Sequence, residues 1–140
     1  MDQRLSLVTL GVADVARSRR LYEALGWRAS GASVPEVAFF QLNGMGLALY
    51  GQAALSADLG LAAPPRPGGV TLAVNLHSRE AVDAAVAETL AAGATLLQAP
   101  KEMPWGGYVG YVADPDGHPW ELAWVPMFAL DPQGNLNLPT

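Results

Sequence analysis

The sequence contains no cysteine and only one lysine. Without cysteine there can be no disulfide scaffold, no thiolate zinc site and no cysteine nucleophile. The eight basic residues are seven Arg and Lys101, set against 13 acidic residues for a formal net charge of −5. No basic stripe forms, which argues against sequence-independent nucleic-acid binding. Histidine is also scarce. His77 and His118 stand alone, without the paired spacing of a metal motif, and read as surface or turn-packing residues. Apolar residues make up 51% of the chain but are broken throughout by 15 Gly, 11 Pro and scattered charges. No run approaches the ~20 residues of a membrane helix. The opening MDQRLSLVTLGVADVARS lacks an apolar secretory segment followed by a cleavage site. The expectation is a cytoplasmic protein with no membrane partner, its 140 residues forming one domain over 1–140.

Within that frame the chain alternates strands and helices. LSLVTLGV (5–12) reads as a buried strand. Asp14 is a suitable N-cap, because its short carboxylate can accept an orphan backbone N–H. The helix that follows places Val15, Ser18, Tyr22 and Leu25 on one face, with Leu21 beside them, and Gly26 ends it. Residues 27–30 and 36–42 are β-like, Asn43-Gly44 is a strong hairpin signal, and 45–50 return from it. QAALSADLG suits a short helix, and AAPPRPGG suits a connector.

The pattern then restarts. VTLAVNL (70–76) is a strand, Ser78 an N-cap, and 79–93 an amphipathic helix with Ala81, Val82, Ala85, Val86, Thr89 and Leu90 on its apolar stripe. Residues 94–98, 108–113 and 118–124 are strands. The last two are joined by Asp114-Pro115-Asp116-Gly117, a type I turn sequence that accounts for both acids as turn formers. The tail 127–140 reads as extended. The result is a strand-helix-strand-strand-strand unit occurring twice, with modules at about 5–52 and 69–126 and a connector at 53–68. Leu7 aligns with Thr71, and Ala48 with Glu121.

This repeat, with VTLGVADVARSRRLYEALGW near the start and GGYVGYVADPDGHPWELAW near the end, resembles the vicinal oxygen chelate superfamily, which includes glyoxalase I, bleomycin-resistance proteins and extradiol dioxygenases. The resemblance runs over about residues 5–126. It implies an α+β fold of two βαβββ modules forming a curled mixed sheet around a central pocket. It also implies that metal-dependent members bind a divalent ion through four inward residues from the first and last strands of the modules. Carried over, those positions are Leu7, Ala48, Thr71 and Glu121, of which only Glu121 is a strong donor. No metal and no cofactor are therefore expected.

Cross-strand partners share a face. A tight turn at Asn43-Gly44 pairs Phe39 with Ala48 and Val37 with Tyr50. The same logic at the second turn pairs Glu121 with Gly110 and Ala123 with Tyr108, and sends Tyr111 and Trp120 to the helix side. The ligand-binding wall is then Leu7, Thr9, Phe39, Ala48, Tyr50, Thr71, Ala73, Tyr108, Glu121 and Ala123, with Trp105 at the rim. Such a wall suits a hydrophobic or aromatic small molecule with a polar or cationic handle. Three functions stay open. One is a metal-independent binding protein that sequesters or senses its ligand. Another is an enzyme of the same superfamily using Glu121 as a catalytic base or sole strong metal ligand. The third is an interaction module with a filled pocket. The apolar tail, with Met127, Phe128 and Leu130, leads to the expectation of a homodimer.

Overall fold

A computed structural model describes residues 3–64 and 66–138; the connector expectation at Pro65 and the tail expectation at 139–140 lie outside the described residues. The chain is a mixed α+β protein that divides into two compact units, 1–66 and 67–140.

In the first unit, β1 (Leu7–Val12) leads into α1 (Val15–Ala24), β2 (Val37–Gln41), β3 (Gly46–Gly51) and α2 (Gln52–Leu59), with sheet order β1-β3-β2. β1 runs parallel to β3, and β2 antiparallel to it. The Asp14 carboxylate accepts the Arg17 N–H at 2.9 Å, as expected of an N-cap. The face of α1 that carries Ser18, Leu21 and Tyr22 is buried with Leu10, Val12, Ala38, Phe40, Leu47 and Leu49. The rings of Tyr22, Trp27 and Phe40 cluster with centroids 5.4 to 5.9 Å apart.

One expected strand is missing here. Residues 27–30 make only a single bridge, Ala29 to Phe40. The Ser33 hydroxyl accepts the Phe39 N–H at 3.0 Å, so a side chain occupies a donor that a strand would have used. The short helix expected in QAALSADLG is α2, which lies over β1 and β3; a Cβ on Gly11 would stand 3.1 Å from its Leu55 Cδ2.

The second unit contains β4 (Leu72–Asn75), α3 (Arg79–Ala91), β5 (Thr95–Glu102), β6 (Tyr108–Ala113) and β7 (Pro119–Trp124), in sheet order β4-β7-β6-β5. The Ser78 hydroxyl caps α3 by accepting the Ala81 N–H at 3.1 Å. Val82 and Val86 of α3 bury against Val112 and Leu122, with Tyr108, Trp120 and Trp124 packed around them. The tail is not simply extended. It folds into a small hairpin, β8 (Ala129–Leu130) with β9 (Leu136–Asn137).

The parallel pairs repeat between the units. Thr9 lies opposite Ala48, and Ala73 opposite Glu121. The first members are 64 residues apart and the second 73, the offsets that align Leu7 with Thr71 and Ala48 with Glu121.

Candidate functional site

The two hairpins differ in the length of their loops. In the first unit Leu42 N–H bonds Met45 O, Asn43 and Gly44 span the turn, and Phe39 faces Ala48 with Val37 facing Tyr50, as expected. Only Gly44 enters the positive-φ region, at 74°. In the second unit Gly117 N–H bonds Asp114 O, closing the expected turn. The ladder, however, closes one residue further on, where Asp114 N–H bonds His118 O. Gly117, at φ 87°, is the added residue of a three-residue loop.

That residue shifts the register by one and changes which side chains share a face. Glu121 lies opposite Tyr111, not Gly110, and Tyr108 lies opposite Trp124, not Ala123. Two expectations are thereby corrected. Tyr108 packs on the α3 side, where its hydroxyl donates to Asp83 Oδ1 at 2.9 Å. That hydrogen bond, followed by burial, raises the Tyr108 pKa. Tyr111, expected on the helix side, joins Glu121 on the opposite face. Trp120 is on the helix side as expected.

The sheet face away from α3 can now be read in rows. One row runs Ala73, Glu121, Tyr111, Gln98 across β4, β7, β6 and β5. The next runs Asn75, Ala123, Val109, Lys101. Ala123 and Val109 are fully buried, so the polar row stands beside covered apolar side chains. The Tyr111 hydroxyl donates to Glu121 Oε2 at 2.6 Å. This hydrogen bond, then burial, then the carboxylate's charge, push the Tyr111 pKa up to about 12. The phenol therefore stays protonated and donates. Among the described residues Glu121 Oε1 has no hydrogen-bond partner.

The first unit holds the other expected site residues. Leu7, Thr9, Ala48, Tyr50 and Phe39 fall on one side of their sheet by register. Leu7 and Phe39 line a cavity of about 330 Å³ near the hairpin, with Ser6, Ser30, Met45 and Gly46. Ala48 is fully buried. The Tyr50 hydroxyl donates to Asp58 Oδ2 of α2 at 2.8 Å, and that bond raises its pKa. Thr71 is exposed just before β4. Trp105 is an exposed turn residue whose ring lies against Gly107, at a position a Cβ would occupy.

The residues do not fit the divalent ion of metal-dependent relatives. Leu7 and Ala48 have no donor atom, a Thr71 hydroxyl is a poor ligand, and Glu121 already holds Tyr111. Among the described residues no group of three His, Cys, Asp or Glu side chains is placed to hold a metal. His118 belongs to the turn, donating its N–H to Asp114 Oδ1 at 2.9 Å, and His77 lines a 160 Å³ cavity with Trp124, Phe128 and Leu130.

Two modules of this topology, the second a complete βαβββ unit, define a glyoxalase-like class of protein. Residues 4–122 match the model of the Glyoxalase/Bleomycin resistance protein/Dioxygenase superfamily, and the chain belongs to that family. It is similar to a crystal structure of a glyoxalase-related enzyme from Fulvimarina pelagi, with 37% identity, a TM-score of 0.90 and 99% of each chain covered. A glyoxalase/bleomycin resistance protein/dioxygenase from Nocardioides is 27% identical with a TM-score of 0.75, over 90% of this chain and 86% of its own. The uncharacterized protein Mb0911c of Mycobacterium bovis is 41% identical over 59 residues, which span 42% of this chain and 38% of that protein. Among the described residues no helix is long and apolar enough to cross a membrane.

Proposed function

We propose that this chain is a small-molecule binding protein of the glyoxalase/bleomycin-resistance type that works without a metal ion, with Glu121 as counter-ion to a cationic group on an aromatic or otherwise apolar ligand. The observation that carries this is the half-buried Tyr111–Glu121 pair at 2.6 Å. A half-buried carboxylate that keeps one oxygen for a ligand favours a cation through a charge-assisted hydrogen bond. Within the first unit, Leu7 and Phe39 line a 330 Å³ cavity of their own, a proposed apolar contact. Thr9 and Tyr50 in the first unit and Thr71 in the second are proposed contacts of lesser weight, each within its own unit, whereas the fully buried Ala48 offers no surface.

Benzylamine and benzyl alcohol, alike in shape and unlike in charge, test the reading. Wild-type protein is expected to bind the amine more tightly. Glu121→Gln should weaken the amine by about 1.5 kcal/mol, the low end for a charged hydrogen bond because the pair is half-buried, and leave the alcohol unchanged. Equal loss for both probes contradicts the counter-ion role. Protein purified without chelators is expected to carry well under one equivalent of Zn, Ni, Fe or Mn. Stoichiometric metal that disappears in Glu121→Gln would overturn the metal-free reading.

A second reading is favoured by one observation: the Fulvimarina pelagi relative is described as a glyoxalase-related enzyme. On that reading Glu121 removes a proton next to a carbonyl and returns it, while Tyr111 fixes the carboxylate's orientation. Proton exchange into added carbonyl compounds, followed by NMR, distinguishes the two. Exchange that vanishes in Glu121→Gln while affinity persists marks a base.

A further inference from the structure

Lys101 is the single lysine of the chain, and it lies on the same sheet face as Glu121. Alternation alone would not put both Lys101 and Gln98 there, because they are three positions apart. A bulge between them restores the match, setting Gln98 opposite Tyr111 and Lys101 opposite Val109. The Lys101 ammonium donates to Gln98 Oε1 at 3.4 Å, which holds the cation toward the polar row. Pro100 points the other way, since a Cβ on Gly110 would meet both Pro100 Cγ at 2.9 Å and Val86 Cγ2 of α3 at 3.0 Å.

The neighbouring acid does not neutralise this lysine. Glu102 lies opposite Tyr108 and is engaged by Arg79 at 2.6 Å, and the Arg79 guanidinium in turn lies 4.1 Å over the Trp124 ring. Among the described residues Lys101 has no ion pair. One face of the second module therefore carries an acid on β7 and a base on β5, two strand spacings across and one row along, roughly 12 Å between Cα atoms. Between them lie Tyr111 and the apolar side chain of Val109.

We propose that the ligand of this face is dipolar, an apolar or aromatic body with a cationic group held by Glu121 and an anionic group held by Lys101. The proposal rests on the counter-ion reading of Glu121 and names the other end of the molecule. A ligand of this kind gains at both ends only when its charges are separated by a rigid spacer that reaches from Glu121 past the half-buried Tyr111 toward Lys101, which an aromatic ring supplies. Gln98 acts as a positioning residue for the ammonium.

Three probes separate the ideas: para-aminomethylbenzoate with both charges, benzylamine with the cation alone, and benzoate with the anion alone. Calorimetric titration of wild-type protein should show the dipolar probe binding about tenfold more tightly than benzylamine. Lys101→Met, which keeps the apolar stem on an exposed strand, should remove that advantage and leave benzylamine unchanged. Glu121→Gln should weaken benzylamine and the dipolar probe alike. If the dipolar probe binds no more tightly than benzylamine, or if Lys101→Met changes neither, Lys101 only guards a sheet edge and the inference falls while the Glu121 reading stands. If Glu121→Gln leaves benzylamine unchanged while Lys101→Met still weakens the dipolar probe and benzoate, the face is an anion site. The counter-ion reading then fails, and the dipolar ligand fails with it.

Discussion

Tyr111 and Glu121 constrain each other's proton. A phenol whose hydrogen bond is to a carboxylate loses that bond's benefit on ionising and gains a repulsion, so its pKa rises from 10 to about 12. The linkage has a definite sign. Between pH 10 and about 12 the folded state holds a proton that the unfolded state has lost, so stability falls with rising pH across that window and is fully present below it. Ultraviolet titration of wild-type protein should show one phenol ionising near 12. Tyr111→Phe should remove that component, and Glu121→Gln should move it back toward 10. A wild-type titration without a component near 12, or an unchanged titration in both variants, would show that the pair is not formed in solution. The sequence made Glu121 visible as the one strong donor among the four aligned positions. It did not make its partner visible, because choosing between Tyr108 and Tyr111 required the length of a loop.

That loop is one of three built alike. Met103-Pro-Trp-Gly-Gly107, Asp114-Pro-Asp-Gly-His118 and Asp131-Pro-Gln-Gly-Asn135 each close with a backbone bond from the first residue's N–H to the fifth residue's carbonyl and another from the fourth N–H to the first carbonyl. In each the fourth residue is glycine at positive φ: Gly106 at 95°, Gly117 at 87° and Gly134 at 83°. Proline presets the turn, glycine takes the left-handed position, and a hairpin with one extra residue follows. The repeated Pro-x-Gly spacing was in the sequence and would have given both the correct register at Glu121 and the hairpin in the tail. Reading Asp-Pro-Asp-Gly as a four-residue turn captured its first half only. The strand lost at 27–30 is a different matter, because nothing in the local pattern announces that Ser33 will bond Phe39 six residues away.

The turns should differ in what they support. Asp114 is buried, and its carboxylate accepts the N–H groups of Asp116 and His118, both at 2.9 Å. Asp114→Ala should cost about 1–3 kcal/mol in urea unfolding by leaving those donors without the carboxylate. Gly117→Ala should cost about 1–2 kcal/mol, the price of a left-handed L-residue. Gly134→Ala imposes the same local strain on a hairpin of two-residue strands, so it should melt that hairpin and leave global unfolding nearly unchanged. Equal global losses for the two glycine variants would show that the tail hairpin is integral to the second unit.

At the scale of the whole molecule, the repeat was the most legible feature, because the parallel pairs Thr9–Ala48 and Ala73–Glu121 impose the same spacing that aligns the modules in sequence. Partners between chains are a separate question, and the tail bears on it. A two-stranded hairpin this short is marginal in water unless something covers it. Phe128 and Leu130 meet Leu76, His77 and Trp124 around a 160 Å³ cavity, so part of the tail packs on its own unit. Met127, Leu136 and Leu138 remain exposed at 51%, 43% and 60%. Three large apolar side chains on one short segment are costly to leave in water, at about 25 cal/mol per Å². We propose a homodimer whose interface includes this hairpin. Light scattering on the order of tens of micromolar should give twice the chain mass. Replacing Leu136 and Leu138 together by Glu should yield a monomer with unchanged far-ultraviolet dichroism, because neither side chain is in the core of the second unit. A monomeric wild-type protein at that concentration rejects the dimer, and a dimer that survives the double replacement puts the interface elsewhere.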